Sequence, residues 1–423
     1  MSLSKNRIYC GFFMIYYTIS IFDALFIIYI PLYYLNILNV NRIELSFIQS
    51  LTYLTLFVTP LLGFLYDKYI KKEIQSKMIL YLSCITLCCS FLIFIFFKEI
   101  LLLYGIFVFI YFFSKSLIRT GMSSLFLSLV KESKNIKLTL ILLVNTATIV
   151  GYLGVSLIFN FNVLNINSLK FWNIFFLIGW VFSLPIIILI GFFIKKVQFF
   201  NENINIENKS INNIEINLSK YEIVLIGVIY ISYILALSDL LISYLLSSWI
   251  FDKFNEMGFR IYSSLYFVFI ICSIFGLYIA NLLCKKYNEK KVMVIFVYLY
   301  ATLLFPITIS NFPMFMILNS FLSIIAYIIT VSYTSLITDF SNKGKYKTFK
   351  YQFLQSSSSL ASTLYIPLGT LYFGIITVET LIIMSSILIG ISGIFILSTF
   401  PIDKIIDQRK KEIIIEETID VIS

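Results

Sequence analysis

Histidine is absent from all 423 residues, and Asp, Glu, Lys and Arg together make up only 13% of them. The missing imidazole removes the usual proton shuttle near neutral pH, so any proton chemistry falls to carboxylates. A water-soluble globule carries about 25% charged residues, so the low charge excludes that class. The phosphate-binding pattern GxxxxGK[ST] occurs nowhere in the chain, which argues against direct drive by ATP. Cysteine is present but not in a form that suggests a metal site. Cys10, Cys84, Cys88, Cys89, Cys272 and Cys284 all fall within or at the ends of apolar runs. Cys84 and Cys88 share a helix face, but two thiols without histidine make a poor zinc site, and packing is the better reading. No cofactor or metal is expected.

Apolar residues account for 60% of the chain, and the mean hydropathy is +0.94. At about 20 residues per membrane crossing, the long runs predict twelve helices. They lie near 8–35, 45–66, 77–97, 100–126, 138–160, 171–194, 221–250, 260–283, 292–310, 314–338, 350–374 and 380–400. The first begins directly after Lys5 and Arg7, exceeds a signal-peptide core and lacks a small-residue cleavage site, so it reads as retained. With the N-terminus inside, 25 of the 32 Lys and Arg residues fall on inside segments, five outside and two within the membrane. Such an asymmetry orients a membrane protein. Both termini are therefore expected in the cytoplasm, with the plasma membrane as the expected location. The net charge of +10 follows from topology. A basic chain can signal nucleic-acid binding, but these charges are spread over seven loops and tails at one face, and no nucleic-acid partner is expected.

The chain repeats itself. GFLYDKYIKK, from Gly63 to Lys72, returns as GLYIANLLCKK, from Gly276 to Lys286, with the glycines 213 residues apart. Each copy follows an Asp that interrupts an apolar helix, and Asp23 and Asp239 are 216 residues apart. Tyr17 and Tyr233 each precede their Asp by six positions. The expected organisation is two six-helix bundles, 1–194 and 221–402, joined by an Asn- and Glu-rich cytoplasmic linker, 195–220, and followed by a tail, 403–423. Duplicated helical units with a carboxylate at matching depth are arranged like a carrier.

In this setting Gly63, Leu65, Asp67, Lys68, Lys71 and Lys72 resemble the loop signature of the major facilitator superfamily, commonly G-x-L-A-D-R-x-G-R-R. Tyr66 and Ile70 depart from it. The second copy keeps Gly276, Lys285 and Lys286 without the Asp. IPLYYL, from Ile30 to Leu35, and TPLLG, from Thr59 to Gly63, also look like the opening helices of that superfamily. The resemblance implies an all-α membrane protein with twelve transmembrane helices in two pseudo-symmetric halves. It also implies that Asp67 meets the cytoplasmic start of the eleventh helix, near Lys347 to Tyr351, and locks an outward-facing state. The antiporter pattern is only fragmentary at Gly151 and Gly154, so antiport is not indicated.

Four charges lie deep in the membrane: Asp23 on the first helix, Lys115 and Arg119 on the fourth, and Asp239 on the seventh. Each costs about 2.5 to 3.5 kcal/mol at the bilayer centre if left alone. In the resembled fold these are all cavity-lining helices. Asp23 and Asp239 are therefore candidate proton-coupling groups. Lys115 and Arg119, one turn apart on one face, suit a substrate carboxylate or phosphate, or a pair with Asp23. Asn145 on the fifth helix, Asn319 and Tyr327 on the tenth and Gln355 on the eleventh are further candidates for contacting substrate. The same polar residues would equally serve close helix packing. The expected function is a secondary transporter that moves a small organic solute by alternating access with proton coupling. It would act as a monomer in the lipid bilayer. The alternatives are a transporter-like receptor or scaffold, and an intramembrane enzyme, for which no nucleophile, base or metal cluster is evident.

Overall fold

The computed structural model describes residues 2–70, 73–130, 134–161, 168–184, 220–238, 258–342, 346–372 and 375–399. The linker 195–219 and the tail 403–423 lie outside them. Among the described residues, twelve helical stretches fall within or beside the expected positions, those expected at 171–194 and 221–250 being described only in part. α1 comprises Ser2–Asp23, a π-helical turn Ala24–Tyr29, and Ile30–Asn36; α2 comprises Arg42–Phe57 and, after Val58, Thr59–Tyr69. α3 (Glu73–Phe97), α4 (Leu101–Val130), α5 (Lys134–Phe161) and α6 (Leu169–Ser183) follow. The last six are α7 (Lys220–Ala236), α8 (Gly258–Lys286), α9 (Glu289–Leu304, tightening into a 3-10 turn Phe305–Ile309), α10 (Phe312–Ser341), α11 (Lys347–Tyr372) and α12 (Val378–Thr399).

Nine helices among the described residues are long and apolar enough to cross a membrane, and the described parts of α6 and α7 are shorter apolar helices. α11 has the length, but Gln352, Gln355 and the run Ser356 to Ser359 keep it polar. Several helices extend beyond the hydropathy-based bounds because their ends are polar and capped. Asn41, Ser168, Asn288 and Asn311 each place a side-chain oxygen on a free N–H of the first turn.

Packing on α1 differs on the two sides of its π turn. Below the turn, the helix meets α5 so closely that a Cβ on Gly151 would lie 2.7 Å from Tyr17 O. Above it, Tyr29 and Tyr33 enter a cluster of rings with Phe159, Trp172, Phe175 and Phe176. The first six helices meet the last six mainly where α2 packs on α11 and α5 packs on α8, with α4 also against α11.

Candidate functional site

Tyr111 and Lys115 are four residues apart on α4 and therefore share one face. Both reach α1 at Asp23, the last α-helical residue before the π turn. Lys115 Nζ and Tyr111 Oη each donate a 2.5 Å hydrogen bond to the same carboxylate oxygen, Asp23 Oδ1. Asp23 is 5% exposed and Lys115 3%. Neither charge could remain so deeply buried alone at acceptable cost, and the pair supplies the compensation. The π turn beside Asp23 is itself a feature often found at functional positions.

Arg119 follows one turn later on α4 and is half-buried. No carboxylate pairs with it among the described residues. Its guanidinium lies within electrostatic reach of the hydroxyls of Tyr16 on α1, Tyr111 on α4, Tyr152 on α5 and Tyr351 on α11. Tyr16, Tyr152 and Tyr327 are half-buried, and their hydroxyls make no hydrogen bond among the described residues. The backbone at Arg119 is fixed across the interface, because Gln352 Nε2 donates to Arg119 O at 3.3 Å and to Ser123 Oγ at 2.7 Å.

The lysine-rich ends of the helices carry two further contacts between the first six helices and the last six. At the first, Asp67 Oδ2 accepts from Phe349 N–H at 3.1 Å, in the stretch 347–351 to which the resemblance directs it. This N–H belongs to the first turn of α11, where the helix dipole favours an anion. Gly63 makes the approach possible: a Cβ there would lie 3.1 Å from Thr348 O and 3.2 Å from Phe349 Cα. At the second, Lys137 at the start of α5 is 2% exposed. Its Nζ lies 2.7 Å from Asp339 Oδ2 at the end of α10 and 3.6 Å from Glu289 Oε1 at the start of α9. Ser335 Oγ supports the same Glu289 oxygen at 3.3 Å.

Residues 228–414 match the family model of the Major Facilitator Superfamily. The second half of the chain is therefore similar to that superfamily. Its fold is similar to that of the human organic anion transporter MFSD10 (TETRAN), with a TM-score of 0.67 at 13% identity, covering 92% of this chain and 99% of that one. It is also similar to the nucleoside transporter NupG (TM-score 0.67, 12% identity, 93% and 100% covered). The E. coli fucose:proton symporter FucP gives 0.64 at 14% identity, with 93% and 98% covered. No curated protein matches the chain in sequence. The nine membrane-length apolar helices among the described residues fit a multi-pass integral membrane protein.

The remaining sequence candidates take various places. Asp239, Lys71 and Lys72 lie outside the described residues. Asn145 turns its amide to Ile141 O of its own helix at 2.8 Å, and Gln355 Nε2 donates to Tyr351 Oη at 3.1 Å. Asn319 and Tyr327 lie on one half-buried stripe of α10 with Ser323, Thr330 and Thr334. Lys68 lies over the Phe64 and Tyr69 rings. Gly276 differs from Gly63 in its contact, since a Cβ there would meet Ile324 O of α10 at 2.5 Å, within the last six helices. Lys285 and Lys286 are exposed. Sequence reasoning did not single out Lys137, Glu289 and Asp339, or Tyr16 and Tyr152. Lys137 had been read only as one more inside cation, and two tyrosines do not stand out among 29.

Proposed function

We propose that the chain is a secondary active transporter for a small organic solute, driven by protons and working by alternating access. The bundles 1–194 and 221–402 rock about a central site formed by α1, α4, α5, α10 and α11. The observation that carries this reading is the buried Asp23, Lys115 and Tyr111 contact, one helical turn from an arginine that no carboxylate pairs among the described residues. A carboxylate held by a lysine in a low-dielectric site is a two-state element. With Asp23 ionised, Lys115 is bound to it. With Asp23 protonated, the attraction falls away and Lys115 can turn towards the cavity. Asp239 supplies a second carboxylate in the reading from the repeat. The solved relatives named as a nucleoside transporter and a fucose:proton symporter support small solutes and, in the second case, proton coupling.

The Asp67 and Lys137 contacts hold the lysine-rich cytoplasmic face closed, so the conformation reads as outward-facing. The protein acts as a monomer in the lipid bilayer, with both termini cytoplasmic, at the plasma membrane. The deciding experiment is uptake by proteoliposomes of a panel of labelled organic acids, sugars and nucleosides under an imposed pH gradient. Uptake that rises with inward proton drive and loses that dependence in Asp23→Asn supports the reading. Uptake indifferent to the gradient, or full coupling in an Asp23→Asn, Asp239→Asn double variant, refutes it.

A further inference from the structure

Tyr346 stands directly before α11 with φ at 56°. Its carbonyl accepts Lys350 N–H at 3.1 Å, so it is the first residue to bond into the helix. Residues in that place normally keep an extended backbone, as Asn41, Ser168, Asn288 and Asn311 do here. In the left-handed region a Cβ crowds the backbone, and Gly, or less often Asn and Asp, are the types that enter it. Asn39 is the one other non-glycine residue with positive φ among the described residues, and it is of a tolerated type. Tyr346 is not.

What opposes that strain comes from α2. The Tyr346 ring lies 5.4 Å from the Phe64 ring at 31°, and Phe349 meets Phe64 edge-on at 6.3 Å and 78°. Lys68 Nζ lies 5.7 Å from the Phe64 centroid. Beside Phe64, Gly63 admits the α11 backbone and Asp67 accepts from Phe349 N–H. Residues 63, 64, 67 and 68 lie on one face of α2, so the ring contact and the Asp67 contact form and break together. α2 and α11 belong to different six-helix halves. Joined, the halves keep Tyr346 against Phe64 in the disfavoured conformation. Separated, Tyr346 loses that ring, and its backbone is free to return to the extended region. The strain is stored in the joined state alone.

We propose that Tyr346 is a preloaded spring in the α2–α11 lock, held left-handed by its ring contact with Phe64 while the halves are joined, and pushing them apart as it relaxes. This rests on the alternating-access reading, which supplies the separated state. Asp67 holds the lock shut, and the backbone at Tyr346 works to open it. The two effects offset each other in part, which keeps both states within reach of a ligand's differential affinity.

The test is electron–electron resonance on the full-length protein in nanodiscs, with spin labels near Val130 at the end of α4 and Ser341 at the end of α10. Tyr346→Phe keeps the ring and should leave the distance distribution unchanged. Tyr346→Ala loses the ring but keeps the penalty on its Cβ, and should be more open. Tyr346→Gly loses both, and its joined population should exceed that of Tyr346→Ala about fivefold. Tyr346→Asn should fall between them, and it keeps the comparison valid if Gly frays the start of α11. Tyr346→Val, whose branched Cβ suits positive φ least, should be the most open. A joined population no larger in Tyr346→Gly and Tyr346→Asn than in Tyr346→Ala overturns the inference. Lys137→Met serves as the opening control. A shift in Lys137→Met without the expected order at position 346 leaves alternating access standing while the spring falls, and no shift in any variant sinks both.

Discussion

Replacing Lys137 by Met removes the cation at the contact with Asp339 and Glu289 while keeping most of its side-chain volume. In the native protein Nζ lies 2.7 Å from Asp339 and 3.6 Å from Glu289, and Glu289 is 5% exposed. Removing one partner of a buried pair costs about 3 to 5 kcal/mol, chiefly because the other charge is left without compensation. The Asp339 side chain is 40% exposed, so water screens much of its share. About 2 kcal/mol is a reasonable net loss. It falls on the closed conformer alone, because opening this face returns Glu289 and Asp339 to water. At about 1.4 kcal/mol per factor of ten, the closed population falls roughly 30-fold relative to the open one. The assay is electron–electron resonance between spin labels near Val130 at the end of α4 and Ser341 at the end of α10, whose distance distribution should lengthen. Adding Glu289→Gln removes the buried charge and should return much of the closed population. An unchanged distribution in Lys137→Met, or a double variant as open as the single one, refutes the reasoning.

Asp67→Asn removes the charge at the first turn of α11, an interaction of about 0.3 to 1 kcal/mol; the same distance measurement should show a shift several-fold smaller than that of Lys137→Met, with the order of solute preference in uptake unchanged. Gly63→Ala should open the cytoplasmic face because the new Cβ would meet the α11 backbone at 3.1 to 3.2 Å, whereas Gly276→Ala, pressed on Ile324 O within the last six helices, should lower the thermal midpoint without changing the distances. Lys115→Met should destabilise the fold by about 3 to 5 kcal/mol, read in chemical denaturation, and Asp23→Asn added to it should recover part of that loss; a double variant no more stable than Lys115→Met would contradict the pair.

The fold was legible in the sequence because the bilayer demands long apolar helices, and nine such helices stand among the described residues. The Asp67 contact was legible for a different reason: the motif carries its geometry with it. For Lys115 the residues left two roles open, a partner for Asp23 or a grip on substrate, and only the 2.5 Å contact separates Lys115 from Arg119. The Lys137 contact could not be read because its members are 152 and 202 positions apart (137 to 289, and 137 to 339). Each of them sits in a polar helix end where a charge needs no special explanation. The tyrosines near Arg119 escaped notice because aromatic residues make up 18% of the chain, so their types carry little information until their positions are known.

The π turn in α1 constrains how this chain can vary in length. A π turn holds one residue more than the α turn it replaces, and an α-helix advances about 100° per residue. Deleting any one residue between Ala24 and Tyr29 would let the helix wind as α throughout with its two ends in nearly the same phase, because the π turn takes up its extra residue within a single turn. The same number of residues wound as a regular α-helix would instead carry one end about 100° further round. With Asp23 anchored to Lys115 and Tyr111, Tyr29 and Tyr33 would then swing away from Phe159, Trp172, Phe175 and Phe176. The π turn therefore absorbs a surplus residue, and at this point in the chain the loss of one residue disturbs the two faces less than a further gain would.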